Sequence, residues 1–254
     1  MKSSSLAASV AERVIGEGLP IAFLLLWWLT ARSLPSFVLP GPIETGETLL
    51  QLFVDPAFMG HTLISLARVV ASVILAVILG GALAGLARYV PSTAYAVQRR
   101  VLPVLNSFPS VGWAILATFW FQPDSASVIF VETLILIPFC AIALIQGIAD
   151  MDRELLEMGA SFSRSSLKIA RKIALPMLLP YVMSSVRIAY GVGWKIALVS
   201  ELFGAEHGLG YLMLRAEVIG NTAMVFASCF AIVIIFVAGE KLIIDPLARR
   251  FAVH

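Results

Sequence analysis

Five ionisable residues stand inside or at the edge of long apolar runs: Arg68, Glu132, Arg187, Lys195 and Glu201. Such residues are costly in hydrocarbon, so they pair with one another or line a polar path. Arg187, Gly191, Trp194, Leu198 and Glu201 recur at steps of four, three, four and three. That spacing puts them on one helical face. A face with a charge at both ends, a glycine and a tryptophan suits a water-filled path, with Lys195 beside it. Arg68 is placed to meet an anion or to pair with Glu132. Asn106, Ser107 and Ser110 in LNSFPSVGW interrupt an apolar helix next to Pro109. The polar groups of such a kink either face the path or are satisfied inside the protein. These residues either line such a path or are paired and satisfied within the protein, and none forms a catalytic set.

The composition says what surrounds them. Hydrophobic residues make up 59% of the 254 and charged residues 13%, against roughly 25% charged in globular chains. A soluble fold of this size could not cover its surface, and disorder needs the opposite balance. The net charge of +2 is too small to imply a nucleic-acid partner. Cys140 and Cys229 lie in apolar runs and make no disulfide framework. His61, His207 and His254 lack ligand spacing, and Glu206-His207 reads as a loop pair. There is no GxxxxGK[ST] phosphate loop, no Ser-His-Asp or Cys-His arrangement, and no paired catalytic carboxylates. No catalytic residue, metal site or nucleotide site is expected, and ATP chemistry would need another chain.

A crossing helix needs about 20 mostly apolar residues. Residues 69–87, 101–123 and 218–239 carry no charge, and 125–149 carries only Glu132. Residues 18–31 form a shorter run, read as a retained helix and not as a cleaved signal. Residues 177–200 complete six spans despite Arg187 and Lys195. With the N-terminus in the cytoplasm, thirteen basic residues fall in cytoplasmic segments and two, Arg32 and Arg215, outside. That asymmetry follows the positive-inside rule and puts both termini in the cytoplasm. Residues 34–59 read as an external connection with an amphipathic helix near 43–53. Gly81 and Gly85 in GALAG form a small-xxx-small pattern for close helix packing. After Glu201, Gly204, Gly208 and Gly210 give a turn-rich external segment and then a short helix to about Gly220.

The cytoplasmic segment 150–176, DMDRELLEMGASFSRSSLKIARKIALP, is too long for a plain connection. Asp150 or Asp152 can cap a first helix, with Glu154 in its first turn. Leu155, Leu156 and Met158 give it an apolar side, and Gly159 is expected near a break. Ser163 or Ser165 can cap a second helix, with Lys168, Arg171 and Lys172 near its end. Leu175-Pro176 is expected to stop that helix, because proline disfavours helix in the residue before it. An amphipathic pair lying on anionic lipid is the alternative reading.

This segment resembles the EAA motif of permease subunits of bacterial ABC importers: E-A-A, three residues, G, nine residues, I-x-L-P. Glu157-Met158-Gly159 takes the place of E-A-A, Ser163 that of the glycine, and Ile173, Leu175 and Pro176 match unchanged. A second alignment makes Gly159 the motif's glycine, with four of the following residues inserted. HTLISLARVVASVILAVILGGALAG (61–85) and WKIALVSELFGAEHGLGYLM (194–213) are also similar to the family, nearest its sulfonate, nitrate and taurine branch.

The resemblance implies an all-α membrane protein with the type I ABC importer permease fold. It divides the chain into a first span with its external connection (1–57), a permease domain (58–245) and a tail (246–254). It further implies a second permease copy, two ABC ATPase subunits that bind ATP and Mg, and an external binding protein. Leu156, Glu157, Met158, Gly159, Ser163, Ile173, Leu175 and Pro176 would couple the chain to the ATPase. The cargo would be a small anion such as a sulfonate or nitrate, carried across a bacterial inner membrane. A secondary transporter or channel without an ATPase is the competing class.

Overall fold

Apolar segments that meet no water must satisfy their backbone groups internally, and this chain does so with helices. The computed structural model describes the backbone of residues 2–251 and the side chains of 18–250. Met1 and residues 252–254, with His254, lie outside the described residues, as do the side chains of Lys2, Glu12, Arg13 and Glu17. The order is α1 Lys2–Ser33, α2 Pro42–Val54, α3 Pro56–Tyr89 and α4 Pro91–Ala96. A π-turn, Val97–Val101, leads into α5 Leu102–Ser107, then α6 Ser110–Trp120, α7 Ser125–Ala149 and α8 Arg153–Phe162. α9 Ser166–Ile169 passes through a π-turn, Ala170–Ala174, into α10 Leu175–Gly204. α11 Leu209–Val218 and α12 Thr222–Gly239 follow, and a third π-turn, Glu240–Ile244, leads to α13 Asp245–Phe251. There is no strand among the described residues.

Four helical stretches among the described residues are long and apolar enough to cross a membrane: Pro56–Tyr89, Ser125–Ala149, Ser166–Gly204 and Thr222–Arg250. Pro91–Ser107 and Ser110–Trp120 make a fifth if the pair is one crossing, and Gly18–Ser33 is a shorter apolar helix. The kink expected beside Pro109 in the 101–123 run is an 86° bend between these two helices. Phe108 and Pro109 are both extended there, as the residue before a proline prefers.

Leu175-Pro176 does not stop its helix, contrary to the sequence expectation. The chain runs from Ser166 to Gly204 as one helical stretch. The Leu175 N–H reaches back five residues to the Ala170 carbonyl, and this wider turn makes room for the proline ring. The expected break at Gly159 is also corrected. Gly159 lies inside α8, and the break is at Ser163, whose backbone is extended.

Contacts divide the chain into two units. In the first, the residues up to Met59 with Leu212–Ala231, Trp27 donates to the Pro40 carbonyl at 3.0 Å and packs on Phe226 and Phe230. Thr222 donates to the Ser36 carbonyl at 2.6 Å. α2 is amphipathic as expected, burying Thr45 and Leu52 while Ile43, Leu50 and Val54 stay exposed.

In the second unit, Gly60–Tyr211 with the residues from Ile232 on, α7 is the most enclosed of the long helices. α10 runs along it and α6 packs on both. α3 contributes a stripe of small residues, Ala76, Gly80, Ala84 and Ala87, all buried. The close approach is at Gly80, not at Gly81 and Gly85. A Cβ on Gly80 would stand 2.8 Å from the Ala141 backbone nitrogen and from the Cys140 Cβ, whereas Gly85 faces open space. GALAG thus has the right kind of spacing one residue out of register. Gly80→Val should lower stability by about 1–3 kcal/mol through overpacking. Gly85→Val should change it by no more than about 0.5 kcal/mol, as read by thermal unfolding in detergent.

Candidate functional site

Four polar residues of α3, His61, Ser65, Arg68 and Ser72, fall on one face of the helix. Three of them meet Glu201 and the loop after α10. Ser65 donates its hydroxyl to both oxygens of Glu201, at 2.7 and 2.8 Å. Arg68 Nη1 donates to Glu201 Oε1 at 2.9 Å and to the His207 carbonyl at 2.6 Å. Its Nε donates to Ser125 Oγ at 3.1 Å. Arg68 and Glu201 are 3% and 1% exposed, so the pair is sealed from solvent.

The same groups cap α11. The first N–H groups of a helix have no partner within it. Here Gly208 N–H goes to His61 Nδ1 at 3.0 Å, Leu209 N–H to Ser65 Oγ at 2.8 Å, and Gly210 N–H to Glu201 Oε2 at 2.9 Å. Accepting at Nδ1 fixes His61 with its ring proton on Nε2. A carboxylate at a helix N-terminus is also favoured by the dipole. Gly208 has φ +117, and a Cβ on it would collide with the Glu201 carboxylate. Glycine is therefore required on two counts.

This arrangement corrects two sequence expectations. Arg68 pairs with Glu201, not with Glu132. Glu201 and Trp194 are enclosed within the unit, 1% and 2% exposed, so the expected face does not line one continuous path. Glu132 is fully buried and its oxygens accept no regular hydrogen bond; Ser72 is the hydroxyl beside it. His207 is more than a loop residue, since its carbonyl holds Arg68 and its ring packs on His61 at 5.4 Å. Sequence reasoning missed His61, Ser65 and Ser125. The signal was available in the helical spacing of His61, Ser65, Arg68 and Ser72.

The Arg187 end of the expected face is open. Arg187 is paired with Asp245 and, at 3.7 Å, with Glu240, so it is not a lone charge. Arg187, Gly191, Trp194, Lys195 and Leu198 line a groove of about 430 Å³ against Ile232, Val233 and Phe236. Lys195 is exposed and makes no ion pair among the described residues. An ammonium at such depth costs about 2.5–3.5 kcal/mol on insertion scales. Asn106 and Ser107 are exposed at the 86° bend, and Ser110 is half-buried.

The segment 150–176 has the expected caps. Asp152 accepts from Glu154 N–H at 2.8 Å, and Ser165 from Lys168 N–H at 3.4 Å. Asp150 does not cap it but is tied to the bundle, accepting from Gln146 Nε2 and from the Tyr181 hydroxyl, both at 2.9 Å. Gly159 is buried, and a Cβ there would strike Ile173. The glycine thus serves close packing, while the bend at Ser163 uses an extended backbone and needs no glycine. Leu156, expected on the docking side, turns inward to a cavity of about 330 Å³ bounded by Arg88, Ile148 and Ala174. The outward face is Leu155, Met158 and Phe162, exposed by 40%, 50% and 87%. Glu157 lies exposed beside it, as do Leu175 and Pro176. The sequence reading passed over Phe162, which follows Glu157-Met158-Gly159 by three residues and stands between two serines.

Removing either member of a sealed ion pair leaves the other uncompensated. Arg68→Leu and Glu201→Leu should each lose about 3–5 kcal/mol. The double variant should lose clearly less than their sum. Denaturant unfolding in mixed micelles checks this, and simple additivity would contradict the pairing.

Comparison with known proteins agrees with these features. Residues 72–251 match the family described as "Binding-protein-dependent transport system inner membrane component". The chain is 26% identical to the taurine transport system permease protein of Escherichia coli (strain K12), over 84% of this chain and 79% of that one. It is 27% identical to a putative aliphatic sulfonates transport permease protein of Bacillus subtilis (strain 168), over 88% and 80%. It is 27% identical to the nitrate import permease protein of Synechococcus elongatus (strain ATCC 33912 / PCC 7942 / FACHB-805), over 91% and 89%. The chain belongs to the matched family: it is the multi-pass inner-membrane permease subunit of a bacterial ABC importer, which works with a binding protein and with a separate ATPase.

Proposed function

We propose that this chain pairs with a second copy of itself, that one ATPase docks on each 150–176 segment, and that the cargo is a small anion. The observation that carries the coupling role is α8: capped, anchored, and apolar on its outward side. An exposed patch of Leu155, Met158 and Phe162 with Glu157 at its rim suits a cleft on a partner protein. ATP and Mg belong to that partner.

The anchors explain how a push on α8 reaches the membrane. Gly159 seats α8 on Ile173, at the π-turn that continues into α10. Asp150 joins the end of α7 to Tyr181 of α10. Leu156 fills the space between the segment and the ends of α3 and α7. Displacement of α8 then moves α7 and α10 together. Six crossings are assembled from α1, the bent pair and the four long stretches, with both ends in the cytoplasm.

The anionic cargo is supported by the exposed Lys195 beside a paired Arg187, and by the taurine, sulfonate and nitrate named for the relatives. Arg68, Glu132, Trp194 and Glu201 serve from behind, holding the helices that flank the path. Asn106, Ser107 and Ser110 line the bend where the fifth crossing opens.

Leu155→Asp with Phe162→Asp should leave membrane insertion intact and weaken ATPase docking by more than about tenfold, the scale of an interface hot spot. Uptake into proteoliposomes should fall with it. Normal coupled uptake by this variant would overturn the docking role. The cognate binding protein, purified and analysed for its bound solute, should hold an anion; a neutral or cationic solute would overturn the cargo assignment.

A further inference from the structure

Lys195 does not sit alone in a polar chamber. The walls of its groove are Ile188, Val192 and Leu198 of α10 and Val233 and Phe236 of α12. Gly191 lies on the floor, where a Cβ would meet the Phe236 ring at an ordinary contact of 3.7 Å. The other cation at the groove, Arg187, is already neutralised by Asp245 and Glu240. Lys195 is the uncompensated charge among the described residues of this groove. A volume of about 430 Å³ lies within the roughly 300–1,000 Å³ of small-molecule sites.

We infer that this groove is a membrane-embedded subsite for an organic monoanion that carries an apolar tail, with the acid group on Lys195 and the tail along Ile188, Val192, Val233 and Phe236. The inference rests on the anion reading above and sharpens it. A small inorganic anion such as nitrate would meet the ammonium but leave the apolar walls unused. An alkyl or aryl sulfonate uses both. The ammonium of lysine is a point charge on a flexible stem, suited to passing an anion on. A bidentate arginine clamp would hold it.

The test uses the permease–ATPase complex purified in nanodiscs without the binding protein. Radiolabelled butanesulfonate is the probe, with propanesulfonate, hexanesulfonate and nitrate as competitors. Saturable binding should tighten as the chain lengthens, and nitrate should compete at least about tenfold less well than butanesulfonate. Lys195→Gln should weaken binding by at least about tenfold, and Lys195→Arg should keep most of it. Val233→Trp, which narrows the groove and leaves the charge, should lower the longest chain accepted; this arm holds even if Lys195→Gln fails to assemble. Equal binding by Lys195→Gln, or equal competition by nitrate, overturns the inference. So does an amine at Lys195 that is shielded from a lysine reagent without sulfonate present, which would assign the groove to a second copy of the chain. A binding protein that holds no anion instead sinks the underlying cargo reading, and is seen separately.

Discussion

The structure depends on one sealed ion pair. Arg68 and Glu201 stand in a region where neither charge can be hydrated, and each alone would be strongly unfavourable. Their pairing is tolerated because further hydrogen bonds surround both charges. Glu201 accepts from Ser65, Arg68 and Gly210, and Arg68 also donates to Ser125 and His207. The partners come from α3, α7, α10 and the start of α11. Hydrocarbon gives helices little reason to associate, so packing and polar links must supply it. This cluster is such a link, and it sets the position of α10, whose exposed side carries Lys195 and Arg187.

Much of this was written in the sequence, although not where it was first sought. The family follows from the 150–176 segment because a motif records contacts made within the segment and with one partner. The helices follow from hydropathy because the bilayer imposes a length. The pairing of Arg68 was not legible. From the sequence, Glu132 and Glu201 both offer a carboxylate at or within an apolar helix, and only the packing of α7 and α10 against α3 decides between them. Gly80 was missed for a similar reason: Gly80, Gly81 and Gly85 all offer the same absent side chain, and the neighbour across the interface picks one. Leu155 and Leu156 differ by one residue and about 100° of rotation. One faces water and the other the cavity beside Arg88.

Charge on α10 is graded by what accompanies it. Glu201 is enclosed and fully bonded, so it serves architecture. Arg187 is half exposed and doubly paired across to the Glu240 turn and α13, so it ties the helix to its neighbour. Lys195, between them, is exposed and has no ion-pair partner among the described residues. In a spanning helix that combination is the least stable of the three, and the protein retains it where the groove walls are apolar. The order along the helix therefore runs from a charge tied to its neighbours, Arg187, through an exposed one, Lys195, to a sealed one, Glu201.

Proline treatment bears on how motion travels. Pro103, Pro176 and Pro246 each stand two residues after a π-turn. In every case the last residue before the proline bonds back five positions: Leu102 to Val97, Leu175 to Ala170, and Asp245 to Glu240. In an α-helix a proline removes a donor and its ring meets the carbonyl four residues earlier. Widening the turn by one residue moves that carbonyl away, and the helix continues. A widened turn also leaves carbonyls in need of another donor, which water can supply only outside the hydrocarbon. Arg99 and Arg100, Arg171 and Lys172, and Lys241 stand within these turns, which accords with an aqueous boundary. A helix broken at Pro176 would absorb a displacement of α8 in a flexible joint. A helix carried through it would transmit such a displacement along about 39 Å of α10, past Lys195 and up to the fixed point at Glu201. The extended break at Ser163 is bridged by Gly159 packed on Ile173, and the other joint, at 150–152, by the Asp150 bond to Tyr181.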